Sequence, residues 1–322
     1  MARPAQSGGH AMIRLGFAVR AVGRPGLGGG SGPGRPAHLS LALARLADML
    51  GYLAQLGVRY YRAPLDLRGH EGFAQIADSA AQLDALAERL AADGVRVTVH
   101  LPIGLALASP DEGLASEAAL AIEATAALLE ALDSGRPPGP PEGLIVAHLG
   151  APAADGRAAA RFAARYEALS ARARARLALE HEGAGPSLGA LLALHQACGV
   201  PIVFDALHWE LHNPEGLPLD LALGLALATW PAGARPEVHL SSQRSEAHLL
   251  PGRAGAPPRV VAPRPGQHAD FVAAGDLERL LLAARGLPPF DLMLEAKAGE
   301  LALLRLRAEL AARAPALAAG LA

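Results

Sequence analysis

Short apolar runs alternate with longer Ala- and Leu-rich segments from one end of the chain to the other. The apolar runs lie at 13–19, 58–63, 95–100, 144–148, 177–180, 201–205, 237–240 and 291–295. Segments of helical period follow them at 39–56, 72–93, 112–132, 157–174, 187–198, 219–229, 276–285 and 300–314. Parallel strands that are buried on both faces have near-continuous apolar sequences of this kind. Eight such pairs predict an α/β fold, the single-domain (β/α)8 or TIM barrel.

The length and composition fit one such barrel. With 322 residues, 51% of them hydrophobic, the chain can bury the core of a barrel that typically needs about 250 residues. We predict a barrel domain at 12–322 and a disordered N-terminal extension at 1–11. Cys198 is the only cysteine, which excludes an internal disulfide and fits a reducing compartment. No signal peptide and no run of about 18 uninterrupted apolar residues is found, so we expect a cytoplasmic protein.

The charge balance bears on possible partners. A formal net charge of −2 argues against a protein that holds nucleic acid by bulk electrostatics, unless basic residues cluster and metal cations add positive field. Lys297 is the only lysine, and the arginine bias reflects either phosphate recognition or a GC-rich genome. The Gly- and Pro-rich loops 23–36 and 251–265 follow the first and seventh strands, on the face where barrel enzymes keep their chemistry. Their arginines either contact a polyanion or are simply solvated; they are Arg20, Arg24, Arg35, Arg244, Arg253, Arg259 and Arg264.

Side chains that bind metals stand at or near the ends of six consecutive predicted strands. They are His100, His148, Glu180, Asp205, His239 and Glu295. The carboxyl ends of the strands of a closed parallel barrel meet at one face, so these side chains are expected to share one basin. Carboxylates this close repel one another, and divalent cations neutralise them while also accepting imidazole nitrogen. The pattern therefore predicts a metal site.

Further histidines extend the predicted site. His208 follows Asp205 by three residues, and His268 lies in the loop after the seventh strand with Asp270 beside it. A mixed nitrogen and oxygen donor set points to zinc or manganese, whereas an all-oxygen set would favour magnesium or calcium. The remaining histidines are expected to be structural, with His70 and His181 as the first additional candidates; they are His10, His38, His70, His181, His195, His212 and His248.

With these residues in place, the chain resembles the UV damage endonuclease family, whose barrel is similar to that of endonuclease IV. The strings around Asp205, His239 and Glu295 carry the resemblance most specifically. The matching segments run almost the full length in order, at 13–17, 61–62, 100–110, 146–148, 179–180, 203–208, 238–242, 268–271 and 293–297.

The resemblance implies three divalent metals, often manganese, with zinc or magnesium as alternatives. On that pattern Glu180 bridges two metals: His100 and His148 hold one with it, and Asp205, His239 and Glu295 complete the second. His208 and His268 hold the third. The implied activity is nicking of DNA 5′ to ultraviolet photoproducts and some other lesions by metal-bound hydroxide, which leaves a 3′-hydroxyl. We predict that the catalytic residues are Glu180, Asp205, Glu237 and Glu295.

The implied partner is damaged double-stranded DNA in the nucleoid, with no membrane and no obligate protein partner. We expect it to be contacted by Phe17, Arg62, Ile103, Arg244 and Lys297. Phe17 and Ile103 stand where relatives have a tyrosine and a glutamine that probe the lesion. Phe17 can still stack on a base, whereas Ile103 can only act as a wedge. The lesion range, and even the DNA substrate, are open at this point.

One metal-site position also departs from the family pattern. Relatives commonly have a modified, carboxylate-bearing lysine two residues before the seventh-strand histidine, and this chain has Glu237 there. We predict that Glu237 serves the metal cluster directly or from behind its ligands; the alternative is an ordinary ion pair with an arginine.

Two other functions remain open. A sugar isomerase or epimerase of the xylose isomerase type also places carboxylates and histidines at strand ends around metals, and fold alone does not separate it from a nuclease. About three bound metals would favour the nuclease, and turnover of a free sugar the isomerase. A barrel that binds DNA without cutting it predicts tight, salt-sensitive binding and no cleavage.

Overall fold

Eight parallel strands close into a barrel in the computed structural model, which describes residues 12–24, 27, 38–65, 67, 71–150, 155–252 and 257–322. The strands are β1 (Leu15–Ala18), β2 (Tyr60–Arg62), β3 (Arg96–His100), β4 (Leu144–His148), β5 (Leu177–Glu180), β6 (Ile202–Asp205), β7 (Glu237–Leu240), β8 (His248–Leu250), β9 (Arg259–Val261) and β10 (Asp291–Leu294). The barrel order is β1-β10-β7-β6-β5-β4-β3-β2, and β8 pairs with β9 in a separate antiparallel ribbon. Each barrel strand coincides with a predicted run, which confirms the predicted fold class.

Helices surround the barrel and cover the outer faces of its strands. In chain order they are α1 (Leu39–Leu56), α2 (Glu71–Asp78), α3 (Ala80–Asp93), α4 (Glu112–Asp133), α5 (Ala158–Ala168), α6 (Ala171–Arg174), α7 (Leu188–Cys198), α8 (Ala206–Leu211), α9 (Leu219–Leu227), α10 (Ala274–Ala283), α11 (Glu300–Arg313) and α12 (Pro315–Ala318). Apolar side chains of the helices and strands form one large buried cluster between the two layers. The carboxyl ends of the strands are thereby held on a rigid support.

Some helical regions differ from the sequence-based prediction, and side-chain capping accounts for two of the differences. The predicted helix at 72–93 is two helices, and so is the one at 157–174. In the latter, the Ser170 hydroxyl accepts a hydrogen bond from the Ala173 N–H (3.1 Å) and starts a new helix. The short helix α8 was not predicted. It begins because the Asp205 carboxylate accepts from the His208 N–H at 2.7 Å.

Helix α1 has the length and apolar composition of a membrane-spanning segment. In this structure it packs against α3 in the helical layer. Its buried side chains recur every three or four residues and form one stripe that faces the barrel; they are Leu39, Leu43, Leu46, Met49, Leu50 and Leu53. Its apolar character is thus explained by its place in the barrel.

A buried ion cluster closes the amino-terminal end of the barrel. Asp291, the first residue of β10, is 0% exposed. Its carboxylate accepts from Arg14 Nε at 2.9 Å, from Arg96 Nη1 at 2.8 Å and from Arg235 Nε at 3.0 Å. Burial alone would raise the pKa of Asp291, but the arginine charges, that of Arg96 foremost, lower it below its usual value. One carboxylate therefore compensates several guanidinium groups that are largely removed from water.

Some predictions fall outside the described residues. Residues 1–11, including His10, lie there, so the domain boundary at residue 12 stays a prediction. His70, Arg35, Arg253 and most of the loop 25–37 also lie outside this part of the chain.

Candidate metal centre

The predicted donors converge at the carboxyl end of the barrel. His100, His148, Glu180 and Asp205 are the last residues of four successive strands. In the strand register, His148 lies opposite Glu180 and Asp205 opposite His239, while Glu295 directly follows β10. The pleat and the register thus direct these side chains into one basin.

Two groups of donors lie close enough to hold a metal ion. One group is His100, His148 and Glu180; the other is Glu180, Asp205, His239 and Glu295. Within each group the potential ligand atoms lie within 4.8 Å of one another. Glu180 belongs to both groups and so stands where a bridging ligand would stand. The resemblance predicts the same division of donors, and the binding of metal ions by these residues stays a prediction.

Glu180 is surrounded by imidazole rings. Its Oε2 lies 2.9 Å from His100 Nε2 and 3.6 Å from His148 Nε2. Its Oε1 lies 3.2 Å from both His208 Nδ1 and His239 Nδ1. Burial alone would raise the pKa of Glu180, but the neighbouring histidines, led by His239, lower it well below its usual range. Glu180 is therefore an ionised, fully buried carboxylate.

Several buried donor atoms of this basin lack a hydrogen-bond partner among the described residues. Asp205 Oδ2 and His148 Nδ1 are among them, and so are Glu180 Oε1 and His239 Nδ1, whose 3.2 Å approach to each other does not have hydrogen-bond geometry. A buried polar atom without a partner costs about 1–3 kcal/mol. A cation would supply the missing partner and relieve repulsion among Glu180, Asp205 and Glu295, so the residues present fit divalent metals.

Glu237 lies behind His239 and outside both donor groups. Its side chain is 0% exposed, and its Oε1 lies 2.9 Å from His239 Nε2. The opposite ring nitrogen, Nδ1, then faces Glu180 at 3.2 Å and Glu295 at 3.5 Å. A carboxylate on the far nitrogen of a metal-binding histidine fixes the ring orientation and tautomer. We infer that Glu237 is a positioning residue.

Arg62 of β2 is an internal cation of this site. Its guanidinium donates to Glu295 and lies 3.1 Å from Glu237 Oε1 and 2.5 Å from His239 Nε2. The side chain is 5% exposed. The expectation that Arg62 contacts DNA is therefore wrong in this structure, because its guanidinium is buried and forms ion pairs with Glu237 and Glu295. Glu237 thus contacts both His239, a predicted metal ligand, and an arginine, and its service to the metal cluster stays a prediction.

We expect Glu237→Gln to weaken binding of Mn²⁺ about 10- to 100-fold, the usual loss when an outer-shell partner is changed. The neutral amide holds the His239 ring less firmly and leaves part of the Arg62 charge uncompensated. Calorimetric titration with Mn²⁺ measures the effect. Glu142→Gln is the matched control, since Glu142 pairs with Arg14 (2.8 Å) at the other end of the barrel. Equal affinity of Glu237→Gln and wild type would refute the positioning role.

The third predicted metal pair is only partly assembled. The rings of His208 and His268 lie 6.4 Å apart between centroids, and His268 Nδ1 lies 3.7 Å from Glu295 Oε2. Burial would lower the pKa of His208, but Asp205 and Glu180 outweigh it and raise the value to about 10. Neither histidine belongs to the two close donor groups. Their joint metal site stays a prediction.

His181 is a buried residue that holds the backbone of Asp205. It is 0% exposed, and its Nε2 accepts from the Asp205 N–H at 3.1 Å. Burial, together with the charge of His208, lowers the pKa of His181 to about 3, so the ring is neutral. Its place directly after Glu180 was the signal in the sequence, but the hydrogen bond to Asp205 needed the structure. Asp270, beside His268, pairs with Arg244 (3.0 Å).

The predicted DNA-contact residues differ in how far the structure exposes their side chains. Phe17 is 0% exposed and packs edge-on against Tyr61, with ring centroids 5.4 Å apart. It cannot stack on a base in this structure, so that expectation is wrong. Ile103 is 61% exposed, and Lys297 is exposed. Arg244 is 12% exposed and held by Asp270.

A cavity of about 480 Å³ adjoins the metal basin. Glu295 and His268 line it from the metal side, and Arg20 and Lys297 supply two cations. Neither cation has an ion-pair partner within the described ranges. The cavity therefore offers positive charge beside a metal-site carboxylate, as an anionic group would require.

A strained turn places Arg20 at this cavity. Val19 has φ 55°, an unfavourable value for a β-branched residue. The turn closes through a hydrogen bond from the Arg20 N–H to the Ala18 carbonyl (2.6 Å). It is held from β2: Val19 donates to the Arg62 carbonyl (3.0 Å), and the Tyr61 hydroxyl donates to Val19 O (3.1 Å).

A family model described as UV-endonuclease UvdE matches residues 39–316. The chain belongs to this family. UV DNA damage endonucleases of Bacillus velezensis and Bacillus pumilus are 30% and 28% identical over 172 and 225 residues. These matches cover 52% and 68% of this chain, but only 49% and 63% of the relatives. The UV DNA damage endonuclease of Deinococcus radiodurans is 28% identical over 74% of this chain and 79% of its own.

Solved structures agree with the fold of this UvdE family member. The crystal structure of SacUVDE superposes with a TM-score of 0.74 at 22% identity and covers 92% of this chain and 98% of that chain. An L-ribulose 3-epimerase gives a TM-score of 0.52 at 18% identity, with 92% and 86% covered. At these identities the likeness shows the barrel, not the reaction.

Proposed function

We propose that this UvdE family member is a metal-dependent DNA repair endonuclease. It nicks the backbone 5′ to ultraviolet photoproducts and some other lesions and leaves a 3′-hydroxyl. The observation that supports the proposal is that Glu180 belongs to both donor groups. The chain is also a member of the UvdE family, and its relatives are named UV DNA damage endonucleases. A sugar isomerase is not favoured, since only the fold speaks for it.

The donor groups define which residues would hold the metals. His100 and His148 would hold one ion with Glu180, and Asp205, His239 and Glu295 a second. His208 and His268 would hold a third. We propose manganese as the metal, with zinc and magnesium as alternatives, because both nitrogen and oxygen donors are present. Divalent ions, when bound, activate a water nucleophile and offset charge on the phosphate oxygens.

The protein's own groups orient this centre. Glu237 fixes His239 from behind, and His181 holds the backbone of Asp205 through its Nε2. Arg62 lies inside the barrel, where its positive charge offsets the negative charges of Glu295 and Glu237. All of these contacts are buried, so they hold the donors in place before the substrate arrives.

Binding of DNA is assigned to the rim of the basin. Arg20 and Lys297 would bind a phosphate beside the scissile bond, in the cavity that Glu295 lines. Arg244 would contact the backbone next to them. Local cations of this kind reconcile a net charge of −2 with a polyanionic substrate. The proposed place of action is the DNA of the nucleoid.

The test uses a duplex with one cyclobutane pyrimidine dimer at a known position. With Mn²⁺ we expect one nick 5′ to the dimer, and extension of the product by a DNA polymerase because a 3′-hydroxyl is present. EDTA should abolish the nick, and undamaged duplex should stay intact. Nicking that survives EDTA would refute the metal mechanism. Tight binding without cleavage at any Mn²⁺ concentration would replace the proposal with a non-cleaving DNA-binding barrel, and epimerisation of a free ketose would replace it with an epimerase.

A further inference from the structure

The three most exposed large hydrophobic side chains of the described residues lie on one face of the barrel. They are Val260 (74%), Leu249 (69%) and Ile103 (61%); none of the others exceeds 49%. Each lies in a segment that follows a barrel strand, on the face that carries the metal donors. Single exposed apolar residues are normal on any protein surface, but concentration at a functional face indicates a contact surface.

The ribbon of β8 and β9 presents two of these side chains together. Leu249 lies directly opposite Val260 in the antiparallel register, so both side chains are on the same face. The neighbouring pair, His248 and Val261, is on the other face. There His248 Nε2 lies 2.5 Å from Gln267 Nε2, which holds that face against the loop. Leu249 and Val260 therefore point away from the supporting loop.

The root of the ribbon is fixed to the metal centre. Gln243, in the chain leading to β8, forms an antiparallel bridge with His268. Its Oε1 also accepts from the Gly266 N–H at 2.8 Å. His268 in turn lies 3.7 Å from Glu295. The ribbon thus has a set position beside the proposed cleavage site.

The surroundings of the ribbon suit a nucleic acid. Arg264, beyond β9, and Arg259, which lies on the ribbon face opposite Leu249 and Val260, are exposed and have no ion-pair partner among the residues described. The exposed acids near the ribbon in sequence are Glu246, ahead of β8, and Asp270, which pairs with Arg244. Arginines contact phosphates, while apolar side chains that enter a duplex unstack a base step and kink the helix. A ribbon with both fits this partner.

The third exposed side chain lies across the barrel mouth. Ile103 follows β3, and in the barrel order β3 is four strands from β7 in either direction. Apolar side chains therefore flank the metal basin on opposite sides. Phe17, the other sequence-based candidate for probing a lesion, is buried and leaves that role open.

We propose that Leu249 and Val260 form a wedge that enters the damaged duplex and unstacks it at the lesion, opposite Ile103. This inference rests on the proposed endonuclease function and adds the side chains that separate the stacked bases of the duplex. Unstacking is cheaper at a damaged base step, so the wedge also contributes to preference for lesions.

The test compares a ribbon variant, Leu249→Ser/Val260→Ser, with a control variant, Leu221→Ser/Leu282→Ser. Leu221 and Leu282 are each 47% exposed on the outer helices α9 and α10. Both variants are assayed on a dimer-containing paired duplex and on the same dimer inside an unpaired bubble. We expect the ribbon variant to nick the paired substrate at least about tenfold more slowly, because it lacks the side chains that unstack the base step, yet to nick the bubble within about twofold of wild type. The control variant should match wild type on both.

The outcomes separate the inference from the function on which it rests. Wild-type rates of the ribbon variant on the paired duplex would overturn the wedge alone. An equal loss on both substrates would overturn it too, by assigning the ribbon to general binding. If the wild-type chain dimerises and the ribbon variant does not, the apolar face belongs to a second copy. If wild type nicks neither substrate, the endonuclease proposal fails and the wedge with it.

Discussion

Glu180→Gln is expected to abolish nicking of dimer-containing DNA and to release metal from the folded protein. Glu180 is the one residue shared by the two donor groups, so its change reaches both at once. A neutral amide cannot supply two anionic oxygens to two cations. Loss of an outer-shell partner typically costs 10- to 100-fold, so we expect more than about 100-fold from this position. Elemental analysis after dialysis and the nicking rate on one defined duplex are the two measurements.

Glu182→Gln is the matched control for this change. Glu182 is also a carboxylate in the loop after β5, and its Oε1 accepts from the Gly150 N–H at 3.4 Å. It is absent from both donor groups, so metal content and nicking should remain near wild type. Full metal content and activity in Glu180→Gln would contradict the bridging role. Loss of the same size in Glu182→Gln would show that any change in this loop disturbs the centre.

Asp291→Asn is expected to lower the free energy of unfolding by about 3–5 kcal/mol, the usual loss when one partner of a buried ion pair is removed. Arg96 is 1% exposed and Arg14 and Arg235 are largely buried, so their charges would lose compensation away from water. Urea unfolding at pH 7 measures the change. Glu309→Gln removes the surface pair of Arg305 and Glu309 and should cost at most about 1 kcal/mol.

The same variant predicts a pH dependence. The pKa of Asp291 is lower in the folded protein than in the unfolded chain, where it is about 3.9. Its stabilisation is therefore fully present above about pH 4 and is lost as the pH falls through the folded value. The difference in unfolding free energy between wild type and Asp291→Asn should narrow below about pH 4. A difference that stays constant, or a small one at pH 7, would show that the arginines find other partners.

Much of the site was predictable because, in a parallel barrel, the position of a residue along its strand determines the end of the barrel at which the residue lies. His100, His148, Glu180 and Asp205 each end an apolar run, and parallel strands bring their carboxyl ends to one face. The periodicity of the runs and the place of the donors are both local properties. The convergence of donors therefore followed once the fold class was known.

Side-chain burial was not predictable in the same way. Phe17 and Arg62 lie on adjacent strands and are both expected from the sequence to contact DNA, yet both side chains are buried, on opposite faces of the sheet. Arg62 is held inside because Glu237 and Glu295, far away in sequence, attract its charge. No local pattern encodes these long-range pairings. The sequence likewise does not predict the ribbon, because its strands are three residues each and lie beside Gly and Pro.

The sequence by itself determined the closed barrel and the end at which the metal donors gather, since both follow from residue spacing along single strands. The tertiary structure alone decided that Phe17 is buried, that Arg62 pairs with Glu237 and Glu295, and that Leu249 and Val260 remain exposed. The physical reason is that distances between side chains from different strands depend on register and packing. Those are properties of the closed sheet and not of any one segment.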